Sequence, residues 1–192
     1  MATRLGTSLA NGIVAKFADG EIRCDFAADD VSGKHCYIVQ PTCRPVNDSL
    51  MELVTMISAC RRAGAISVTV VAPYYGYARQ DRSYKGRAVP ITSGDVSQIL
   101  EFMGASRIIS VDLHSLQTTG MVSAKCQFED YEGAFAGLAY FLETIQDKDN
   151  LVVVSPDAGG MKRAQSFHKH FLWHGYRNVG LAMISKERKA AN

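Results

Sequence analysis

Short apolar runs alternate with stretches of helical spacing along most of this chain, and no other feature constrains the fold as much. Residues 35–40 form one apolar run. Leu50, Leu53, Val54 and Ile57 follow at helical spacing, with Asn47, Asp48 and Ser49 as possible caps, Glu52 placed for a capping box, and Gly64 to close the helix. The β-branched run Ser67–Ala72 predicts the next strand. Thr92 or Ser93 can then cap a helix that Gly104 stops, and Arg107–Val111 is a strand again. The pattern ends with a helix over 132–145, a buried strand over 151–154, a helix over 160–171 and a strand over 179–184. Strands alternating with helices predict an α/β fold, a mostly parallel sheet with helices on both faces. Residues 1–16, interrupted by Gly6 and Gly12, predict helix at most, and Asp19-Gly20 predicts a turn opening a strand over 22–26. The organisation expected is one domain over 1–146 and the start of a second over 147–192.

Composition narrows the function. The 192 residues are 47% hydrophobic and 21% charged with a net charge of +2, so bulk electrostatics give no case for nucleic acid. No apolar run approaches the ~18 residues of a membrane span, and the N-terminus has no apolar leader core. Five cysteines without a CxxC pair make neither a zinc site nor a disulfide framework, and a reducing, cytoplasmic setting is expected.

Chemistry concentrates where strands end. Ligands of open α/β sheets sit outside the carboxyl ends of the strands. Residues 155–163 follow an apolar run and bring Asp157, two glycines that let a ligand approach the backbone, and a helix start with Lys162 and Arg163. That suits a metal–phosphate substrate, and it also suits a tight turn in which Asp157 caps the helix. After the strand at Ser67–Ala72, residues 73–82 carry three tyrosines, Arg79 and Gln80, with Arg82, Lys85 and Arg87 available for phosphates. The alternative is a polar surface loop. After Arg107–Val111, Asp112 and His114 share a face if the strand persists, and His114 is a candidate metal ligand or base, or a simple hydrogen-bonding residue. Mg²⁺ prefers carboxylates and phosphates, so an imidazole would meet it through water. Lys186 and Arg188 follow the last strand and can stabilise charge on a transferred phosphoryl group, or belong to a solvated tail. Asp19 and Glu21 are compatible with turn chemistry alone. No Walker loop, GxGxxG or HExxH is present.

Taken together, the strings FADGE, TCRPVNDSLMEL, PYYGYARQDR, VDLHSLQTTG, VVVSPDAGGMKRA and KERKAAN, in this order over residues 17–192, resemble the ribose-phosphate pyrophosphokinase (phosphoribosyl pyrophosphate, PRPP, synthetase) family. The resemblance implies a phosphoribosyltransferase-like fold. It also implies transfer of pyrophosphate from ATP to the C1 hydroxyl of ribose 5-phosphate, with Mg²⁺. By residue, it implies adenine contacts from Asp19, Gly20 and Glu21, supplied to a neighbouring subunit, and ATP binding by Arg79 and Gln80. Magnesium positions fall at His114 and Asp157, and less strongly at Asp112. Lys186 is the implied catalytic lysine and Arg188 its neighbour. A homo-oligomer, of the hexamer-of-dimers type, is implied as well.

The chain departs from the family pattern at Val89, at 121–124 and around 173–178, where it has extra residues. Its second domain reads as incomplete, without the ribose-5-phosphate loop, so the 192-residue chain is expected to be inactive by itself. The alternative reading is a non-catalytic regulatory partner of such an enzyme. A phosphoribosyltransferase would need a pyrophosphate–ribose loop that these strings do not supply.

Overall fold

The structure, a computed structural model, describes residues 2–185. The chain divides into two compact units, Met1–Tyr131 and Glu132–Asn192.

In the first unit, β1 (Gly12–Lys16) and β2 (Ile22–Phe26) pair antiparallel, Gly12 opposite Phe26 and Lys16 opposite Ile22. Strand β1 lies where the sequence predicts helix at most; the helical turn there is confined to Ala2–Leu5. Pairing with β2 decides the matter, and Gly12 permits it, since a Cβ there would stand 2.1 Å from the Phe26 ring. A short helix, α1 (Ala28–Val31), leads to four strands in a parallel sheet: β3 (His35–Val39), β4 (Ser67–Ala72), β5 (Arg107–Val111) and β6 (Gln127–Tyr131), adjacent in that order. The polar edge strand β6 has no counterpart in the apolar pattern of the sequence; its Phe128 alone is buried.

Helices α2 (Val46–Arg62) and α3 (Thr92–Phe102) flank this sheet. Leu53, Ile57, Val68, Val70 and Ile108 are fully buried, and Val96 and Leu100 join the same cluster. Packing of this kind stabilises a domain more than helix propensity does. The expected caps of α2 serve other contacts: Asp48 pairs with Lys16, Asn47 accepts from the Tyr77 hydroxyl, and Glu52 accepts from Gln40 at 2.9 Å. Gly64, at φ +84°, closes the helix as expected.

The second unit is a βαβ arrangement with one further helix. Strands β7 (Leu151–Ser155) and β8 (Val179–Met183) pair in parallel across α5 (Met161–Trp173). Helix α4 (Ala134–Thr144) packs on α5 through Leu138 and through the Phe141–Phe167 ring contact. The division therefore falls at 131/132, ahead of the expected 146/147, because α4 shares its core with Phe171 and Tyr176. Strand β7 is half-buried where the sequence predicts a buried strand: Leu151 and Val153 face the core, and Val152 and Val154 are exposed. No helix among the described residues is long and apolar enough to cross a membrane.

Ile57 is 0% exposed between α2 and the sheet. Ile57→Ala is expected to cost about 2–5 kcal/mol. Urea unfolding should show a lower midpoint at unchanged slope; a midpoint shift worth less than about 1 kcal/mol would mean that α2 does not pack as described.

Candidate functional site

A parallel sheet sends all its strands out at one edge, so the segments after β3, β4, β5 and β6 of the first unit emerge together. The segment after β4 is anchored before it becomes a loop. Gly76 donates its N–H to the Thr42 hydroxyl at 2.7 Å, and the Thr42 N–H and hydroxyl both donate to the Tyr74 carbonyl, at 2.9 and 3.2 Å. A Cβ on Gly76 would stand 2.6 Å from the Thr42 carbonyl oxygen, so only glycine lets the two segments meet. Tyr75 is buried, its hydroxyl 2.7 Å from that of Ser97 and its ring against Phe128, and burial pushes the phenol up. Of the three tyrosines read as a base-binding cluster, Tyr75 therefore belongs to the core, while Tyr74 and Tyr77 are exposed.

Arg79 and Gln80 follow, both exposed. Gln80 is pinned to the start of α3, since its side-chain oxygen accepts from the Thr92 hydroxyl at 3.2 Å and its carbonyl from the Ser93 N–H at 3.2 Å. Thr92 is thus a fastener of this loop, where the sequence predicts a cap.

Next comes a buried carboxylate that sequence reasoning passes over. Asp81 is 7% exposed and takes two hydrogen bonds from Arg82, Nε at 2.9 Å and the terminal nitrogen at 3.1 Å. The Arg82 hydrogen bonds hold the Asp81 carboxyl below its ordinary range against the cost of burial, and the Ser115 hydroxyl lowers it further. Arg82 is therefore paired with Asp81 although its own side chain is exposed, as are Lys85 and Arg87. In sequence, an aspartate between glutamine and arginine in a long loop looks solvated, and no spacing marks it as buried.

Ser115 belongs to the segment after β5, the strand paired with β4, and its hydroxyl hydrogen-bonds the Gln117 side-chain oxygen. Strand β5 stops at Val111, and Asp112 has φ +52°, a left-handed conformation that aspartate tolerates better than most residues. The chain turns there. The Asp112 N–H donates to the Tyr131 carbonyl at 3.0 Å and the Leu113 N–H to the Asp130 carboxylate at 3.1 Å. The strand does not persist, so Asp112 and His114 do not share a strand face. They stand instead on a turn, both exposed, immediately before Ser115. Arg79 and Gln80 on one loop and Asp112 and His114 on the other thus follow the paired strands β4 and β5 at the same edge of the sheet.

Asp19, Gly20 and Glu21 form the tip of the β1–β2 hairpin. The Asp19 carboxylate accepts from the Glu21 N–H at 3.0 Å, and Gly20 has φ +95°, so turn chemistry accounts for both positions. The Lys16–Asp48 and Tyr77–Asn47 contacts tie the turn end of this hairpin and the β4 loop to the same first turn of α2. The departing stretch 121–124 is ordered by α3: the Glu101 carboxylate accepts from the Ser123 N–H at 2.9 Å and from its hydroxyl, which holds the Glu101 carboxyl below its ordinary range.

In the second unit, Asp157 stands at the carboxyl end of β7. Its Oδ1 accepts the Gly160 N–H at 2.9 Å, and Ser155 donates its hydroxyl to the Asp157 carbonyl at 2.7 Å. The capping role is realised, with one carboxylate oxygen engaged in it. A Cβ on Gly160 would meet the Ser155 hydroxyl at 2.9 Å, so glycine is required for this turn. Lys186 and Arg188 lie outside the described residues.

A depressed carboxyl pKa contributes stability that is complete above the unfolded value, 3.8 for Asp81, and is lost as pH falls through the folded value. Asp81→Asn should therefore lower stability at neutral pH and flatten the decline as pH falls below the unfolded value, read by circular dichroism during acid titration. Identical acid limbs for both proteins would contradict the Asp81–Arg82 pairing.

Residues 1–104 match the family described as the N-terminal domain of ribose phosphate pyrophosphokinase. The chain is 48% identical over 191 residues to the ribose-phosphate pyrophosphokinase of Thermosipho africanus, covering 98% of this chain and 56% of that protein. It is 40% identical to that of Vibrio parahaemolyticus, over 100% of this chain and 58% of the relative. Among solved structures it resembles the phosphoribosylpyrophosphate synthetase of Mycobacterium smegmatis, with a TM-score of 0.82 and 34% identity over 98% of this chain and 60% of the other. That likeness bears out the phosphoribosyltransferase-like α/β fold expected from the sequence. The chain spans a little over half the length of the curated relatives it matches. With its N-terminal 104 residues matching the family and its fold matching a solved relative, the chain belongs to the ribose phosphate pyrophosphokinase family.

Proposed function

We propose that this chain supplies the ATP side of a ribose-phosphate pyrophosphokinase. In that reaction the C1 hydroxyl of ribose 5-phosphate attacks the β-phosphorus of ATP, the new O–P bond forms, the α–β bridge breaks, and PRPP and AMP result. The observation that carries the reading is the parallel pairing of β4 with β5, which brings Arg79 and Gln80 on one exit loop and Asp112 and His114 on the next to one strand edge, with the Asp81–Arg82 pair bracing the first loop. Arg79 would meet phosphate oxygens with charge-assisted hydrogen bonds, and Gln80, fixed by Thr92 and Ser93, would sit beside it.

The donors near His114 suit Mg²⁺. Hard carboxylate oxygens and substrate phosphates are its usual ligands, and an exposed imidazole can face it through water. Asp112 and His114 would hold it in the first unit. The second unit by itself offers the Asp157 oxygen that is outside the cap as a magnesium ligand. When bound, the ion would neutralise charge on the β- and γ-phosphates. Lys186 and Arg188 would stabilise the transferred group, and Asp19, Gly20 and Glu21 would reach the adenine of another subunit in a homo-oligomer of the hexamer-of-dimers type. A cytoplasmic setting fits these substrates. The regulatory-partner reading is not favoured, since the relatives bear the enzyme's own name.

Calorimetric titration of the 192-residue chain with MgATP is expected to show binding that Arg79→Ala weakens about tenfold or more, the loss of one charge-assisted hydrogen bond. Unchanged affinity would remove Arg79 from the site. A protein of the relatives' length that contains this chain should release AMP only when ATP, Mg²⁺ and ribose 5-phosphate are all present. The 192-residue chain by itself should release none.

A further inference from the structure

The last turn of α5 carries chemistry that the proposed reaction does not use. His170 and His174 lie four residues apart, the spacing at which two histidines of a helix share a face and bind one metal ion. His174 is the residue that ends α5, with φ −92° and ψ 18°, close enough to helical for the spacing to hold. Its Nδ1 is 2.8 Å from the His170 carbonyl oxygen. A carbonyl only accepts, so Nδ1 carries the proton and donates it, and Nε2 keeps its lone pair. This is how metal-binding imidazoles are usually oriented, one nitrogen donating to a backbone carbonyl and the other free for the ion.

His170 is held differently. Its ring stands edge-on between Phe135, at 4.8 Å between centroids, and Trp173, at 5.0 Å. Both aromatic residues are exposed, at 57% and 75%. Among the described residues, the ring nitrogens of His170 take no hydrogen bond. His168, by contrast, has its Nε2 on the Val179 carbonyl at 2.8 Å.

We propose that His170 and His174 form a two-imidazole site for a divalent transition-metal ion of the Ni²⁺, Cu²⁺ or Zn²⁺ class. No group of three or more His, Cys, Asp or Glu residues suited to a metal occurs among the described residues, so water completes the coordination. Imidazole nitrogens suit these ions and not Mg²⁺ or Ca²⁺, which take oxygen. The exposed Lys169 and Arg177 nearby in sequence add positive charge and disfavour any cation that binds by charge alone. The site is therefore distinct in kind from one that accompanies phosphates.

Trp173 is the single tryptophan of the chain and adjoins His170, so its emission reports on an ion at this place. Equilibrium dialysis of the 192-residue chain against NiCl₂, with tryptophan emission read in parallel, tests the proposal. Ni²⁺ should bind saturably and quench Trp173, and Zn²⁺ should displace it and restore the emission. His170→Gln and His174→Ala should each raise the half-quenching Ni²⁺ concentration about tenfold or more. Glutamine keeps the polarity and approximate size of the half-buried His170 side chain, and an unchanged circular dichroism spectrum shows that the fold is kept; His168→Gln should leave quenching unchanged. A His170→Gln/His174→Ala double variant that quenches like the wild type, or a wild-type chain whose emission Ni²⁺ does not alter, overturns the proposal.

Discussion

One carboxylate that is almost out of reach of water holds the candidate site in shape. Asp81 keeps its charge because Arg82 holds it with two hydrogen bonds, and the pair braces the loop that leaves β4 beside the exit of β5. A buried charge without such partners would be too costly to keep. Around this pair the neighbouring contacts fall into order. Gly76 presses on Thr42, Gln80 is fixed to the start of α3, and Asp112 turns the chain where β5 ends. Parallel strand pairing supplies the edge, and these side chains decide what stands on it.

The fold was legible in the sequence where apolar periodicity is strong. Strands β4 and β5 begin and end where their β-branched runs do, and α2 buries the Leu53–Ile57 side that its spacing marks. Legibility failed where tertiary pairing overrides local preference. Strand β1 is fully exposed and exists through its ladder with β2, so no buried alternation announces it. Strand β6 reads as polar because most of its side chains meet solvent or the Arg107–Glu129 ion pair. The capping residues of α2 and α3 misled for a related reason: Asp48, Asn47 and Thr92 are helix-start residues by type, and each is used to bind another segment.

The candidate site was legible in a different way. Strand ends and the order of the strings picked out Arg79, Gln80, Asp112 and His114, and these four stand on the exit loops of the paired strands β4 and β5. What the strings could not convey is which polar residues are structural. Asp81 and Thr42 carry the loop architecture, and Tyr75 leaves the base-binding group to enter the core. Asp157 shows the two readings coexisting: one oxygen caps the turn before α5 while the other is not used in that cap. Glycine is informative throughout this region, since Gly76 and Gly160 each stand where a methyl group would collide with a neighbour.

The account stands on the two strand-exit loops acting as a single binding surface. Hydrogen exchange of the 192-residue chain with and without MgATP addresses this most directly. Amides of residues 76–82 and 112–118 should slow together, with the same dependence on nucleotide concentration. Protection confined to one of the two loops, or nucleotide-dependent protection elsewhere with neither loop affected, would contradict it.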